Sequence, residues 1–454
     1  MKKADVLKNV APKYIAAGGQ TEEKTEDGKM KNLTGKLAFL LVLAITITIA
    51  QAGVYAQSSE EVILQWNRVL MTTINTPGQQ PATVLAGRST AMVHLAMYDA
   101  VNSIEGSHTP YLTDVPGSPN ASVEAAAAQA AHDVLVNLFP TRQSIFDAEL
   151  AATLSGIEKN RARQGIAVGR IAAENIIAKR ANDGWFVTPP AYVLPTTPGN
   201  WQPTPPANAA AALTHFSGVQ PFATSGSGQF SPNPPPSLTS AEYTADFNEA
   251  KTLGAVNSTT RTAEQTLIAQ VWANTPNTLV VWNNAARDAS VSRGLPTAAR
   301  ARLFALFHMV FHDTLQQTFS SKYVYGLWRP VTAIRRADED GNPNTESDLA
   351  WTPLLVTPPY PTYAGNAAGQ GISFATILGL VFGRDDIPVT ATFAGPPAAM
   401  RSYASYTAMA NEQARSRIYG GIHYNFDTVA GQAIGKNVAN YTFLNFLRPR
   451  CSGN

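Results

Sequence analysis

Between residues 185 and 240 proline dominates the pattern of the chain: WFVTPPAYVLPTTPGNWQPTPP at 185–206 is followed by FSPNPPPSLTS at 230–240. Proline lacks the backbone donor and its ring clashes inside a helix, so this stretch cannot be regular helix. A structureless segment of that length in a compact protein either wraps a core, serves function or links two domains. Its aromatics Trp185, Phe186, Tyr192, Trp201 and Phe222 favour packing on a surface over a free linker. Any fold for this chain must therefore join two regions through a long irregular path.

Both flanking regions carry helical periodicity. In 88–101, RSTAMVHLAMYDAV, the residues Met92, Leu95 and Ala96 fall on one face. The Ala-rich run 123–138 is stopped by Pro140, and 163–182 is closed by Asp183-Gly184. Helices resume at Glu242, and Thr262 with Gln265 forms a capping box for the run that follows. Further helices are predicted over 298–319, 372–382 and 403–419, while strand-like alternation is nearly absent. The expected fold is mainly α: helical bundles with long Pro-rich connections, divided as 57–184, 185–240 and 241–454.

The first 56 residues read differently. A polar, charged stretch precedes Met30, and Lys31 and Lys36 lead into an apolar run from Leu37 to Ala50. Small residues follow at Ala52 and Ala56, so this is the composition of a signal peptide, with translation starting at Met30 and 1–29 an extension. The expected location of the mature protein is the periplasm or outside the cell. No other stretch approaches the roughly 18 apolar residues of a membrane helix, so no stable span remains after cleavage. A formal net charge of +2 gives no electrostatic footprint for nucleic acid. A homo-oligomer is compatible with this composition. The single cysteine, Cys451, excludes an internal disulfide.

With so little net charge, basic chemistry has to be gathered locally. Lys322 is followed seven residues later by Arg329-Pro330, which supplies one point charge and one planar, bidentate fork. Ser416-Arg417 precedes Gly420-Gly421, then His423 and Asp427. His423 and Asp427 stand i, i+4, so they share a face if a helix has begun there. An aspartate on one ring nitrogen orients an imidazole and leaves the other nitrogen for a metal or phosphorus centre. Together these groups suit a tetrahedral oxyanion. His308 and His312, with Asp313 beside them, have the i, i+4 spacing of a metal pair but no clear third ligand, and read as packing histidines, like His94, His132 and His215. Asp338-Glu339-Asp340-Gly341-Asn342 reads as a solvated turn.

These blocks, Lys-x6-Arg-Pro and Ser-Arg-x5-His-x3-Asp, resemble the vanadium-dependent haloperoxidases, in the superfamily that includes the type-2 phosphatidic acid phosphatases. The stretches 92–104 and 247–272 are similar to bacterial members as well. The resemblance implies a cradle of Lys322, Arg329, Arg417 and the Gly365 backbone for vanadate. It also implies His423 as the vanadium ligand, oriented by Asp427. Hydrogen peroxide and halide are the implied substrates; the same cradle would serve a phosphatase acting on a phosphoester through a His423 nucleophile, or an oxyanion-binding protein. The family's middle block, Pro-Ser-Gly-His, is degenerate: here Pro358-Pro359-Tyr360-Pro361-Thr362-Tyr363-Ala364-Gly365-Asn366 places Asn366 where the family has a second histidine. Asparagine hydrogen-bonds but exchanges no proton near neutral pH.

Overall fold

The computed structural model describes residues 60–79, 85–115, 119–274 and 278–450. The expected signal segment and Cys451 lie outside the described residues. The first helices are α1 (Val62–Asn75), α2 (Ala86–Glu105), α3 (Val123–Leu138), α4 (Gln143–Leu154) and α5 (Lys159–Arg180). After the Pro-rich stretch come α6 (Ala241–Gly254), α7 (Ala263–Asn274), α8 (Thr278–Ser292), α9 (Thr297–Tyr325), α10 (Pro330–Arg335) and α11 (Asn366–Phe382). A hairpin of β1 (Val389–Phe393) and β2 (Ala399–Tyr403) precedes α12 (Tyr406–Tyr419) and α13 (Asn425–Asn445). The chain is mainly α, the expected class, and among the described residues no helix is long and apolar enough to cross a membrane.

Helix α9 organises the molecule. It packs against α2 on one side and against α11 and α13 on another, while α3 pairs with α5 and α11 pairs with α12 and α13. A helix apolar on one stripe sits at a surface; one buried all round sits in a core. α9 is of the second kind, with Phe304, Leu306, Phe307, Met309, Phe311 and Phe319 all buried in one continuous core. It runs to Tyr325, beyond the predicted end at 319, and Gly326 stops it in the left-handed conformation at φ 59°. Lys322 consequently sits in its last turn.

Residues 185–240 hold only one short helical turn, Phe216–Gly218. They run along the C-terminal half of α9 and tie to it through the backbone. Asp313 accepts the amides of Phe222, Ala223 and Thr224 at 2.7–2.8 Å. Trp201 N–H donates to the Gly326 carbonyl at 2.7 Å, and Trp328 N–H to that of Gly199 at 2.9 Å. Trp201 and Phe222 are buried, whereas Phe186 is 80% exposed, so only part of the aromatic set packs.

Local chemistry explains most element ends. Thr262 N–H donates to Gln265 Oε1 at 2.9 Å, and Gln265 N–H returns to Thr262 Oγ1 at 3.1 Å, the reciprocal pair expected at the start of α7. α11 begins at Asn366 rather than 372, because its Gly-Ala-rich first turns offer little apolar periodicity yet meet α13 closely. A Cβ at Gly431 would strike the Gly365 backbone, and one at Gly435 the Gly369 carbonyl, so glycine alone permits this approach. The hairpin departs from the expectation of almost no strand. Val389, Ala391 and Phe393 face inward, and Phe393 meets Trp272 edge-on at 4.8 Å. Five alternating residues are too short a run to stand out in sequence.

Candidate active site

Four segments meet where α9 ends, α11 begins and α13 begins. Lys322 comes from the last turn of α9, Arg329 from the residue before α10, and Arg417 from the last turn of α12. His423 stands just ahead of α13. The close glycine contact of α11 with α13 carries residues 360–366 onto this cluster.

His423 is 2% exposed. Its Nδ1 lies 3.0 Å from both carboxylate oxygens of Asp427 and 3.1 Å from Thr362 Oγ1. The i, i+4 pairing is not made on a helix face, because the helix starts only at Asn425. Asp427 instead occupies the first turn of α13 and reaches back, taking the Tyr424 amide at 3.2 Å as well as the imidazole. Thr362 donates its hydroxyl proton to Asp427 Oδ2, which leaves its oxygen to accept from Nδ1. Arg329 Nη1 donates to His423 Nε2 at 3.1 Å. The Nδ1–H tautomer follows, with the lone pair on Nε2. Burial, opposed by Asp427 and reinforced by Arg329 and Lys322, pushes the imidazole down to about 4 and keeps it neutral.

The cations are buried too. Lys322 Nζ donates to the carbonyls of Thr362 and Ala364, each at 2.7 Å. Burial first, then Arg329, pushes this ammonium well below the usual lysine range, against Asp427. Arg329 spends Nε on the Tyr360 carbonyl at 2.8 Å and Nη1 on that of Ile422 at 2.6 Å, while its Nη2 is buried without a partner. Arg417 is fixed by its Nε to Ser416 Oγ at 3.0 Å, and its Nη2 is likewise buried and unpartnered. Burial pushes Arg417 down to about 10, against Tyr360. Among the described residues neither arginine has a carboxylate ion-pair partner. Two forks thus hold unspent donors, a costly state for buried groups unless an anion completes them.

Two residues stand differently from what the motifs implied. The Gly365 amide donates to the Asp427 carbonyl at 2.7 Å, so it is not free to serve an anion; it fastens α11 to α13. The first-turn amides of α11, which have no intrahelical partner by geometry, are the backbone donors remaining there. Asn366 is 8% exposed, and the phenol of Tyr360 feels its side chain. Tyr360 and Thr362 belong to the cluster and were not singled out as site residues in the sequence, where both pass for parts of a Pro-Pro-Tyr-Pro-Thr connection. The one available signal was their position six and four residues before Asn366.

The other histidines lie elsewhere. His94 and His308 stack in the core at 4.5 Å, and His312 Nδ1 lies 3.1 Å from Asp313 Oδ1. Asp340 is turned inward onto Thr345 and the Asn342 amide, closing the acidic turn on itself.

The comparisons with known proteins bear on this mainly helical scaffold and its cluster of three buried cations beside one oriented imidazole. Residues 302–449 match the family model for the VCPO second helical-bundle domain. A vanadium chloroperoxidase of Curvularia inaequalis is 24% identical over 491 residues, covering 82% of this chain and 80% of that protein. The crystal structure of a bacterial vanadium-dependent iodoperoxidase superposes with a TM-score of 0.74 at 22% identity, covering 86% of this chain and 97% of the other. A holo-type bacterial vanadium-dependent chloroperoxidase gives 0.65 at 14% identity, covering 82% and 94%. Residues 302–449 thus match this family's second helical-bundle domain, and the fold is that of the bacterial vanadium-dependent haloperoxidases.

Proposed function

We propose that this protein is a vanadate-dependent haloperoxidase that uses hydrogen peroxide to oxidise halide. The observation that carries the reading is the pair of unpartnered buried atoms, Arg329 Nη2 and Arg417 Nη2, in the same cluster as a neutral His423 with its lone pair on Nε2. That donor set fits a tetrahedral oxyanion with one coordination position open to nitrogen. Lys322, Arg329 and Arg417 would hold the anion, and His423 Nε2 would bind its centre. Bound there, vanadate supplies a Lewis acid that activates peroxide without changing its own oxidation state.

The chain's own contribution is preorganisation. Asp427 and Thr362 fix the imidazole plane and its tautomer before any ligand arrives. Arg329, anchored through two carbonyls, stays beside His423, and its Nη1 hydrogen bond to Nε2 would give way to the anion's centre. Lys322 keeps the 362–364 backbone against the pocket. Such fixed donors need no reorganisation as charge develops, which is where electrostatic catalysis gains most. The apolar run 37–50 behind Lys31 and Lys36 supports export, to be checked by the mass of the mature N-terminus.

The test is reconstitution of the apoprotein with orthovanadate, followed by peroxide, bromide and a brominatable dye, beside a phosphomonoester control without vanadate. Vanadate-dependent bromination that disappears in His423→Ala supports the reading. Phosphomonoester hydrolysis without bromination would replace it with a phosphatase, and tight anion binding with no turnover would reduce the protein to an oxyanion binder.

A further inference from the structure

The site as described has no histidine at position 366 to deliver a proton, yet a second proton-bearing group stands beside it. Tyr360 lies in the rigid 358–361 connection, with its ring 5.0 Å from the Arg329 guanidinium carbon and 5.3 Å from Lys322 Nζ. Phe319 packs edge-on against it at 5.0 Å, which fixes the ring plane. The phenol stands near the Asn366 side chain and the Arg329 guanidinium, and feels the charge of Arg417. Unlike fully buried His423, Tyr360 is only half-buried.

We propose that Tyr360 Oη is the proton donor of this site, doing for the bound oxyanion what an amide at position 366 cannot. The inference rests on the oxyanion reading of the pocket given above. In the step, the Tyr360 Oη–H bond would break and its proton would pass to an oxygen of the bound anion, which takes with it the electron pair of its broken bond to the centre. The electron pair stays on Oη, where Arg329 and Arg417 stabilise the tyrosinate until solvent returns a proton. Asn366 is the positioning residue, holding the phenol through its amide. Burial raises the phenol above its ordinary value, so it stays in the donor form through the neutral range. It will therefore yield a proton only to a more basic oxygen, such as a developing alkoxide or hydroxide.

Tyr360→Phe keeps the ring and its packing and removes only the hydroxyl. Wild type and variant are compared by calorimetric affinity for orthovanadate and for inorganic phosphate, and by turnover across pH. The expected result is an affinity within a few-fold of wild type, a kcat lowered by about 10²–10⁴-fold, and loss of the alkaline limb of the pH profile. Adding Asn366→His to the Tyr360→Phe protein should restore part of the turnover, which a merely structural tyrosine would not predict. If wild type binds orthovanadate and turns over, while Tyr360→Phe keeps the same kcat and pH profile, the inference is overturned and the oxyanion reading stands. If wild type binds neither anion, that reading falls first and this one with it.

Discussion

His423 and Asp427 face each other across the start of α13, with Nδ1 3.0 Å from both Oδ1 and Oδ2, and that contact also caps the helix. The carboxylate therefore serves the fold and the imidazole through the same atoms. Asp427→Asn keeps the volume but removes the charge that fixes the Nδ1–H tautomer. Orthovanadate affinity should fall by about 10–100-fold, the usual cost of losing an outer-shell partner of a ligating histidine. Calorimetric titration checks it; an affinity equal to wild type would mean that Thr362 alone orients the ring.

Much of this site was legible in the sequence because its charged members recur at fixed short spacings. Lys322 and Arg329 bracket the end of one helix, and His423 and Asp427 bracket the start of another. What short spacing cannot show is which backbone groups are already spent. The Gly365 amide looks free in a motif, and only the approach of α11 to α13 reveals that Asp427 O has taken it. Thr362 and Tyr360 were hidden for the same reason: their partners lie 65 and 31 residues away in the chain. The helical class was legible from periodicity, whereas the path of 185–240 depended on scattered backbone ties such as those to Asp313.

The glycine seam between α11 and α13 sets the distance between the two halves of the site. In Gly431→Ala the new methyl group would meet the Gly365 backbone, which cannot rotate aside as a side chain could. Overpacking of this kind costs about 1–3 kcal/mol. Because the helices must part to admit the methyl, anion affinity should fall along with stability. Urea unfolding and orthovanadate titration read the two effects, and an unchanged unfolding midpoint would show that the helices slide without penalty.

Acid should destabilise the fold through its buried histidines. Burial, with Arg287 adding, pushes His94 down to about 3, and burial with His94 holds His308 well below its ordinary value. A histidine whose folded pKa is depressed is protonated more readily when unfolded. Its stabilisation is whole above about 6.5 and is lost as pH falls from there toward the folded value, at up to about 1.4 kcal/mol per pH unit for each group. Both ring nitrogens of His308 are buried without partners, so His308→Leu sacrifices no hydrogen bond. Unfolding free energies between pH 7 and 4 should have a shallower acid slope in this variant by about one proton. Equal slopes would mean that these rings take no part in acid unfolding.

Asn366→His places a titratable ring at the start of α11. Position 366 opens α11, and Arg329 and Arg417 stand close to the phenol that Asn366 touches. A helix N-terminus and nearby cations all disfavour the imidazolium, so the new ring will titrate below its ordinary value. Only its protonated fraction can donate, and that fraction grows as pH falls. Turnover should therefore rise over wild type most strongly on the acid side, moving the optimum downward. Orthovanadate affinity should change far less, because Lys322, Arg329 and Arg417 remain in place. The measurement is kcat for bromide oxidation across pH, with affinity measured in the same buffers. A variant with wild-type kcat at every pH would show that proton delivery does not limit this enzyme, and that the asparagine has cost it nothing.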